Sequence, residues 1–178
     1  SMKELQLFTK KEFDLQFIST FHQRPAQLFE GDLQRLCILI SLKNYSTKSI
    51  FTSSIYRWNS ETRNLLFSNL SYIRIPQVEQ KHILKIGSLT ESTIYSKFRK
   101  NSRIGNYLSS KNENLIHYRT AGGGYWVTFL NDKFDSNSVS NKFASFRNPF
   151  NPKVFTSELN SNLFWWYYSI NFDLFNFK

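Results

Sequence analysis

Basic residues alternate with aromatic residues at several points of this sequence, and the two residue types together suit nucleic-acid binding. The residues concerned are Arg24, Arg35, Tyr56-Arg57-Trp58, Arg63, Tyr118-Arg119, Tyr125-Trp126 and Lys133. Arginine binds phosphates or guanine edges, and aromatic faces stack on exposed bases. For each arginine the alternative is a solvated surface charge, and for Trp126 and Trp165-Trp166 it is core packing. We therefore interpret the pattern collectively, as a prediction of DNA or RNA binding.

The charge of the chain favours the same class of partner. Lys and Arg number 23 against 13 Asp and Glu, which gives a formal charge of +10. Such an excess repels itself unless it meets a polyanion. With 178 residues and 40% apolar content, the chain is long enough for one core or for two small lobes.

The most conspicuous glycines, Gly122–Gly124, occur in IHYRTAGGGYWVTFL. A phosphate-binding loop needs Gly-Lys-Ser/Thr at the start of a helix, and a dinucleotide fingerprint needs spaced glycines at a strand-to-helix turn. Here the glycines precede Tyr-Trp-Val-Thr-Phe, which is typical of a strand. The pattern therefore predicts a tight turn between strands at 115–119 and 125–130.

No residues for self-contained catalysis or for a metal site stand out. The sequence has no Gly-x-Ser-x-Gly elbow, and Arg147-Asn-Pro-Phe150 lies in a polar segment that favours a turn. One cysteine, Cys37, and three histidines form no zinc-type pattern. Cys37 is expected to be a small buried hydrophobe. We assign no catalytic and no metal-binding residue.

Apolar runs and structure-breaking residues predict the strands, loops and helices of the first half of the chain. The continuous run at 35–42 predicts a strand covered on both faces, as in an α/β sheet, and a second strand is expected at 50–55. Before them, Arg24, Pro25 and Gly31-Asp32 interrupt regular structure, so Phe29 should lie on an irregular segment. Asn59 is expected to cap a short helix.

The second half of the chain should alternate helix and strand. Ser88-Leu-Thr-Glu91 fits a capping box, which predicts a helix over 89–100. The polar segment 131–153 favours a loop, and a final helix is expected to begin at Ser157-Glu158. The apolar runs are too short to span a bilayer, and no signal segment is evident. We therefore expect a soluble cytoplasmic protein without membrane contact.

Four stretches, in this order, resemble the second half of gamma-type adenine-N6 DNA methyltransferases of restriction-modification systems. They are ISTFHQRPAQLFEGDLQRLCILI, IFTSSIYRWNSETRNLLF, LIHYRTAGGGYWVTFL and LNSNLFWWYYSINFD, and they span nearly all of residues 17–173. None is a strict signature alone, but the set is fairly specific. The resemblance implies an α/β or α+β fold, in which the remnant of a mixed methyltransferase sheet precedes a mixed α+β target-recognition region.

The resemblance also implies roles for particular residues and regions. Residues 1–75 would be the C-terminal part of the catalytic lobe, and residues 76–178 an incomplete target-recognition domain. Phe29 would stack on an adenine flipped out of double-stranded DNA. Its alternative is a core residue.

The family's cofactor and substrate motifs do not occur in these residues. The motif for S-adenosylmethionine and the Asn-Pro-Pro-Tyr/Phe motif for the target amine are both missing. We therefore expect a catalytically silent part of a longer methyltransferase, with the cofactor bound by the rest of the parent protein. The alternative function is a protein-interaction or structural module whose charge only keeps it soluble.

Overall fold

The structure, a computed structural model, describes residues 2–31, 34–75, 82–120 and 128–172. It combines helices with one mixed and one antiparallel sheet, so the predicted α+β character is confirmed. The chain divides into two compact units, residues 1–97 and 98–178. The boundary predicted from the sequence, at 75–76, falls inside the first unit.

The first unit is built on a four-stranded mixed sheet. Its strand order is β2-β1-β3-β4, with β1 parallel to β3 and antiparallel to β2. The elements are α1 (Met2–Glu12), β1 (Leu15–Phe21), β2 (Leu36–Leu42), β3 (Ser49–Tyr56), a 3₁₀ turn (Ser60–Leu65), β4 (Ile73–Arg74) and α2 (Leu89–Lys100), whose last three residues belong to the second unit. Strand β3 and helix α2 agree with the sequence-based predictions.

Strand β2 corrects the prediction that the run at 35–42 is covered on both faces. It lies at the edge of the sheet, and the side chains of Leu39, Ile40 and Leu42 are 42–58% exposed. Cys37 is exposed as well, although partial burial raises the pKa of its thiol. An apolar run reports hydrophobicity but not position in a sheet, and that is why an edge strand could be mistaken for a central one.

A compact aromatic core fixes both ends of the loop that follows β1. Phe21 is fully buried and meets Trp58 edge to face, with ring centroids 5.9 Å apart. Ala26 and Leu28 of the loop belong to the same buried cluster. The backbone N–H of Ala26 donates to the carbonyl of Trp58 at 3.1 Å. These contacts hold residues 22–31 in a defined irregular path, as the sequence predicted for this segment.

The segment after residue 82 packs into the first unit, which accounts for where the unit ends. The Thr52 hydroxyl donates to the Ile86 carbonyl at 2.7 Å, and Leu84 and Ile86 are buried. The capping box that begins α2 is confirmed, because the backbone N–H of Glu91 donates to Ser88 Oγ at 3.2 Å and the Gly87 N–H donates to the Glu91 carboxylate at 2.8 Å. Asn59 occupies the cap position of the 3₁₀ turn, but its side chain makes no capping bond to the described residues.

The second unit packs two helices on a three-stranded antiparallel sheet. The strand order is β6-β5-β7, with β5 (Leu115–Arg119), β6 (Phe129–Leu130) and β7 (Asn141–Ser145), followed by α3 (Pro152–Leu159) and α4 (Asn162–Asn171). Ile116, Phe129, Phe146 and Leu159 form its buried cluster. The predicted strand at 115–119 is confirmed.

Two predictions for the second unit are wrong. Strand β7 lies in the segment expected to be a loop, because an edge strand of composition Asn-Lys-Phe-Ala-Ser carries little apolar signal. The expected single final helix is two helices, since α3 starts at Pro152 with Asn151 as its cap and α4 starts after a new cap at Ser161. The glycine turn at 122–124 lies outside the described residues.

No helix among the described residues is long and apolar enough to cross a membrane. In the same parts of the chain, no three His, Cys, Asp or Glu side chains are grouped so that they could hold a metal ion.

Candidate nucleic-acid interface

The loop over residues 22–31, here called the arginine loop, is organised around a buried histidine. His22 is only 3% exposed, and its Nε2 lies 3.4 Å from a guanidinium nitrogen of Arg57. On the other side of the ring, the backbone N–H of Arg24 donates to Nδ1 at 3.1 Å, and the Arg24 carbonyl oxygen lies at the same distance from that nitrogen. The neutral ring thus bridges the loop to the residue that follows β3.

Three of the predicted DNA-binding arginines converge on this histidine. Burial lowers the pKa of His22 from its ordinary value of 6.5 to about 4, and the positive charges of Arg57, Arg35 and Arg24 act in the same direction. Arg24 and Arg57 are exposed and Arg35 is half-buried. The fold therefore concentrates positive charge from the loop and from the ends of β2 and β3 at one place.

Arg63 holds the arginine loop from the side of the 3₁₀ turn. Its guanidinium donates to the Gln27 carbonyl at 3.1 Å and to the Leu28 carbonyl at 2.7 Å. Two bonds from one planar group to adjacent carbonyls fix the backbone immediately before Phe29. Arg63 thus positions the loop, which is a different task from the direct DNA contact predicted for it.

Phe29 extends from the loop into solvent. Its side chain is 62% exposed, so the alternative that it is a core residue is wrong. An exposed phenylalanine on a loop with a fixed backbone offers a free ring face at little entropic cost. The geometry therefore suits stacking on a flat partner.

An open pocket of about 380 Å³ lies beside the loop. Its lining includes Pro25, Tyr56, Arg57, Trp58 and Asn59. The rings of Tyr56 and Trp58 are stacked, with centroids 6.1 Å apart. The pocket is open to solvent, and Arg57 places a positive charge at its wall.

The predicted residues of the second unit are arranged differently. The Arg119 guanidinium lies over the Phe134 ring, 4.5 Å from its centroid, and donates to Asn141 Oδ1 at 2.9 Å and to Ser136 Oγ. These contacts tie Arg119 to the segment before β7. Lys133 is exposed, and Tyr125 and Trp126 lie outside the described residues.

Sequence reasoning missed two residues that shape these surfaces. His22 organises the arginine loop, and its position beside Gln-Arg-Pro carries no recognisable pattern. Phe134 supports Arg119 from a segment that looked like a featureless loop. Both act through contacts made by residues distant in sequence, and periodicity does not report such contacts.

Comparison with protein-family models, with curated proteins and with solved structures finds no match to this chain.

Proposed function

We propose that the chain is the DNA-binding and target-recognition part of an S-adenosylmethionine-dependent adenine-N6 DNA methyltransferase of a restriction-modification system. The arginine loop contacts the phosphates of double-stranded DNA. The cofactor and the catalytic residues belong to the rest of the parent protein, so this chain is catalytically silent alone. The parent reaction is methyl transfer to adenine N6.

One observation carries the DNA-binding part of this proposal. The exposed guanidinium groups of Arg24 and Arg57 act on the same buried His22, on a loop that also presents Phe29. Clustered guanidinium groups attract phosphates, and an exposed ring next to them can meet an unstacked base. The four sequence stretches that resemble gamma-type methyltransferases supply the choice of parent reaction.

A duplex that contains one bulged adenine tests the stacking role of Phe29. The bulge supplies an unpaired base without the cost of flipping. We expect wild-type protein to bind this duplex more tightly than a fully paired one, and Phe29→Ala to lose that preference by roughly tenfold. Phe8→Ala, which removes another exposed ring of the same unit, is the matched control. An unchanged preference in Phe29→Ala would remove the stacking role.

A second function, a protein-interaction module, is favoured by the edge of the first sheet. Strand β2 presents Leu39, Ile40 and Leu42 to solvent beside an unpaired strand edge. Such an edge is a template for pairing with another chain. This reading predicts a defined oligomer in light scattering that Ile40→Lys dissociates, together with no shift of duplex DNA. A monomer that binds duplex DNA contradicts it.

A further inference from the structure

Among the described residues, helices cover one face of the second unit's sheet, and the other face is partly exposed. Ile116 of β5 is fully buried and packs in the cluster that includes Leu159 of α3. Because side chains alternate along a strand, His117 and Arg119 point away from the helices. The open face therefore carries polar and aromatic side chains of β5.

Side chains from the two neighbouring strands lie on this face beside His117. His117 pairs with Leu130 of β6 on one side and with Phe143 of β7 on the other. The side chain of Phe143 is 53% exposed, and its ring centroid lies 6.4 Å from that of His117. Leu130, His117 and Phe143 thus form a row across all three strands.

The positively charged side chain of Arg119 lies next to this row. Arg119 is two residues along β5 from His117, and its guanidinium carbon lies 4.5 Å from the centroid of the Phe134 ring. Its Nε is held by Asn141, its partner across the strand pair. We call the surface made by Leu130, His117, Phe143, Arg119 and Phe134 the outer sheet face.

The chemistry of this face identifies its occupant. An exposed phenyl ring beside an imidazole and a guanidinium offers stacking and cation–π contacts, and residues 98–178 carry ten Lys and Arg against five Asp and Glu. This combination is complementary to bases on an anionic backbone. Bases in a duplex have both faces stacked, so only an unpaired base can lie on the outer sheet face.

We propose that the outer sheet face binds single-stranded nucleic acid, with Phe143 stacking on an unpaired base and Arg119 beside it meeting the base or backbone. The site is separate from the arginine loop in sequence and in the strands that build it. It does not rest on duplex binding or on the methyltransferase assignment. DNA and RNA single strands present the same stacking chemistry, and the experiment separates them.

Fluorescence anisotropy of the full chain with short labelled strands tests the proposal. We expect Phe143→Ala to bind an unstructured single strand roughly tenfold more weakly than wild type, and Phe143→Trp to restore binding because the stacking surface returns. Val154→Ala, an exposed apolar residue on α3, is the matched control and should bind as wild type does. Parallel DNA and RNA strands of one sequence show which sugar the face accepts.

An abasic strand distinguishes stacking from loss of structure. It keeps the phosphates but removes the bases. The comparison is made in a Phe29→Ala background, which removes the other ring proposed to stack, and this protein should bind the abasic strand about as weakly as Phe29→Ala/Phe143→Ala binds the intact strand. In this background, Phe143→Ala should show no further loss on the abasic strand. Equal wild-type affinity for intact and abasic strands, or a similar loss by Phe143→Ala on both, would overturn the proposal.

The experiment tests the two proposed binding sites separately. Arg24→Gln weakens duplex binding if the arginine loop contacts phosphates, but it leaves the difference between intact and abasic strands unchanged. Loss of that difference in Arg24→Gln, with Phe143→Ala behaving as wild type, would place base stacking at the arginine loop and overturn the assignment to the outer sheet face.

Discussion

At the residue scale, the arginine loop depends on one neutral histidine that supports positively charged neighbours. His22 contacts the Arg57 guanidinium through Nε2 and the Arg24 backbone through Nδ1. A second proton on the ring would add a buried charge beside three arginines. The same contacts that gather positive charge at the loop therefore make it sensitive to acid.

This arrangement predicts a pH dependence of stability. The unfolded chain protonates His22 below pH 6.5, whereas the folded chain does so only near pH 4. The unfolded state thus binds more protons in this window, and folding stability is fully present above pH 6.5 and falls as the pH drops toward 4, by on the order of 3 kcal/mol. Chemical denaturation at several pH values measures it.

The control for this prediction is His22→Asn, whose amide can donate and accept hydrogen bonds at this position but does not titrate. Its stability should fall less steeply between pH 6.5 and 4 than that of wild type. If both proteins lost the same folding stability between pH 6.5 and 4, His22 would not be the cause of the pH dependence.

Arg63 gives a second residue-scale prediction. Arg63→Lys keeps the charge but cannot grip the Gln27 and Leu28 carbonyls with a planar fork. We expect faster amide hydrogen exchange at residues 27–30 and a stability loss of about 1 kcal/mol, the worth of such hydrogen bonds at the surface. Exchange rates equal to those of wild type would mean that the fork does not hold the loop.

At the element scale, the segment that precedes α2 packs closely against the backbone of β3 at Gly87. A Cβ on Gly87 would lie 2.5 Å from the backbone nitrogen of Ser54 and 3.0 Å from the Ser71 carbonyl. Both obstacles are backbone atoms, which cannot rotate away as a side chain would. The close approach is what allows the segment before α2 to pack into the first unit.

Gly87→Ala should therefore destabilise the protein by about 1–3 kcal/mol, the usual cost of overpacking. Gly105→Ala is the matched control, because a Cβ there meets nothing within 4 Å. Its stability should be unchanged or raised by up to about 1 kcal/mol through the stiffer unfolded chain. Thermal denaturation of the two variants compares them, and equal melting temperatures would refute the packing argument.

Elements with local signals were the predictable ones. The capping box of Ser88 and Glu91 fixed the start of α2 because its partners lie within three residues. Strand β7 and the edge position of β2 depend on pairing with β5 and β1, and no local pattern encodes a partner's place in a sheet. For the same reason, the arginines could be singled out from the sequence, but their convergence on His22 could not.

At the scale of the whole molecule, the positive charge is divided between the two units. Residues 1–97 carry thirteen Lys and Arg against eight Asp and Glu, and residues 98–178 carry ten against five. Total charge therefore does not by itself identify a binding surface. The arginine loop differs from the rest of the chain because its guanidinium groups gather at one histidine. Removing one of them should therefore weaken duplex binding more than removing a cation elsewhere.

The salt dependence of duplex binding tests this claim most directly. The logarithm of the binding constant is measured against the logarithm of salt concentration for wild type, Arg24→Gln and Lys153→Gln, an exposed cation of α3. We predict a steep fall with salt for wild type, a slope shallower by about 0.9 for Arg24→Gln, and a wild-type slope for Lys153→Gln. Binding that does not depend on salt, or equal slopes for wild type and Arg24→Gln, would contradict the account.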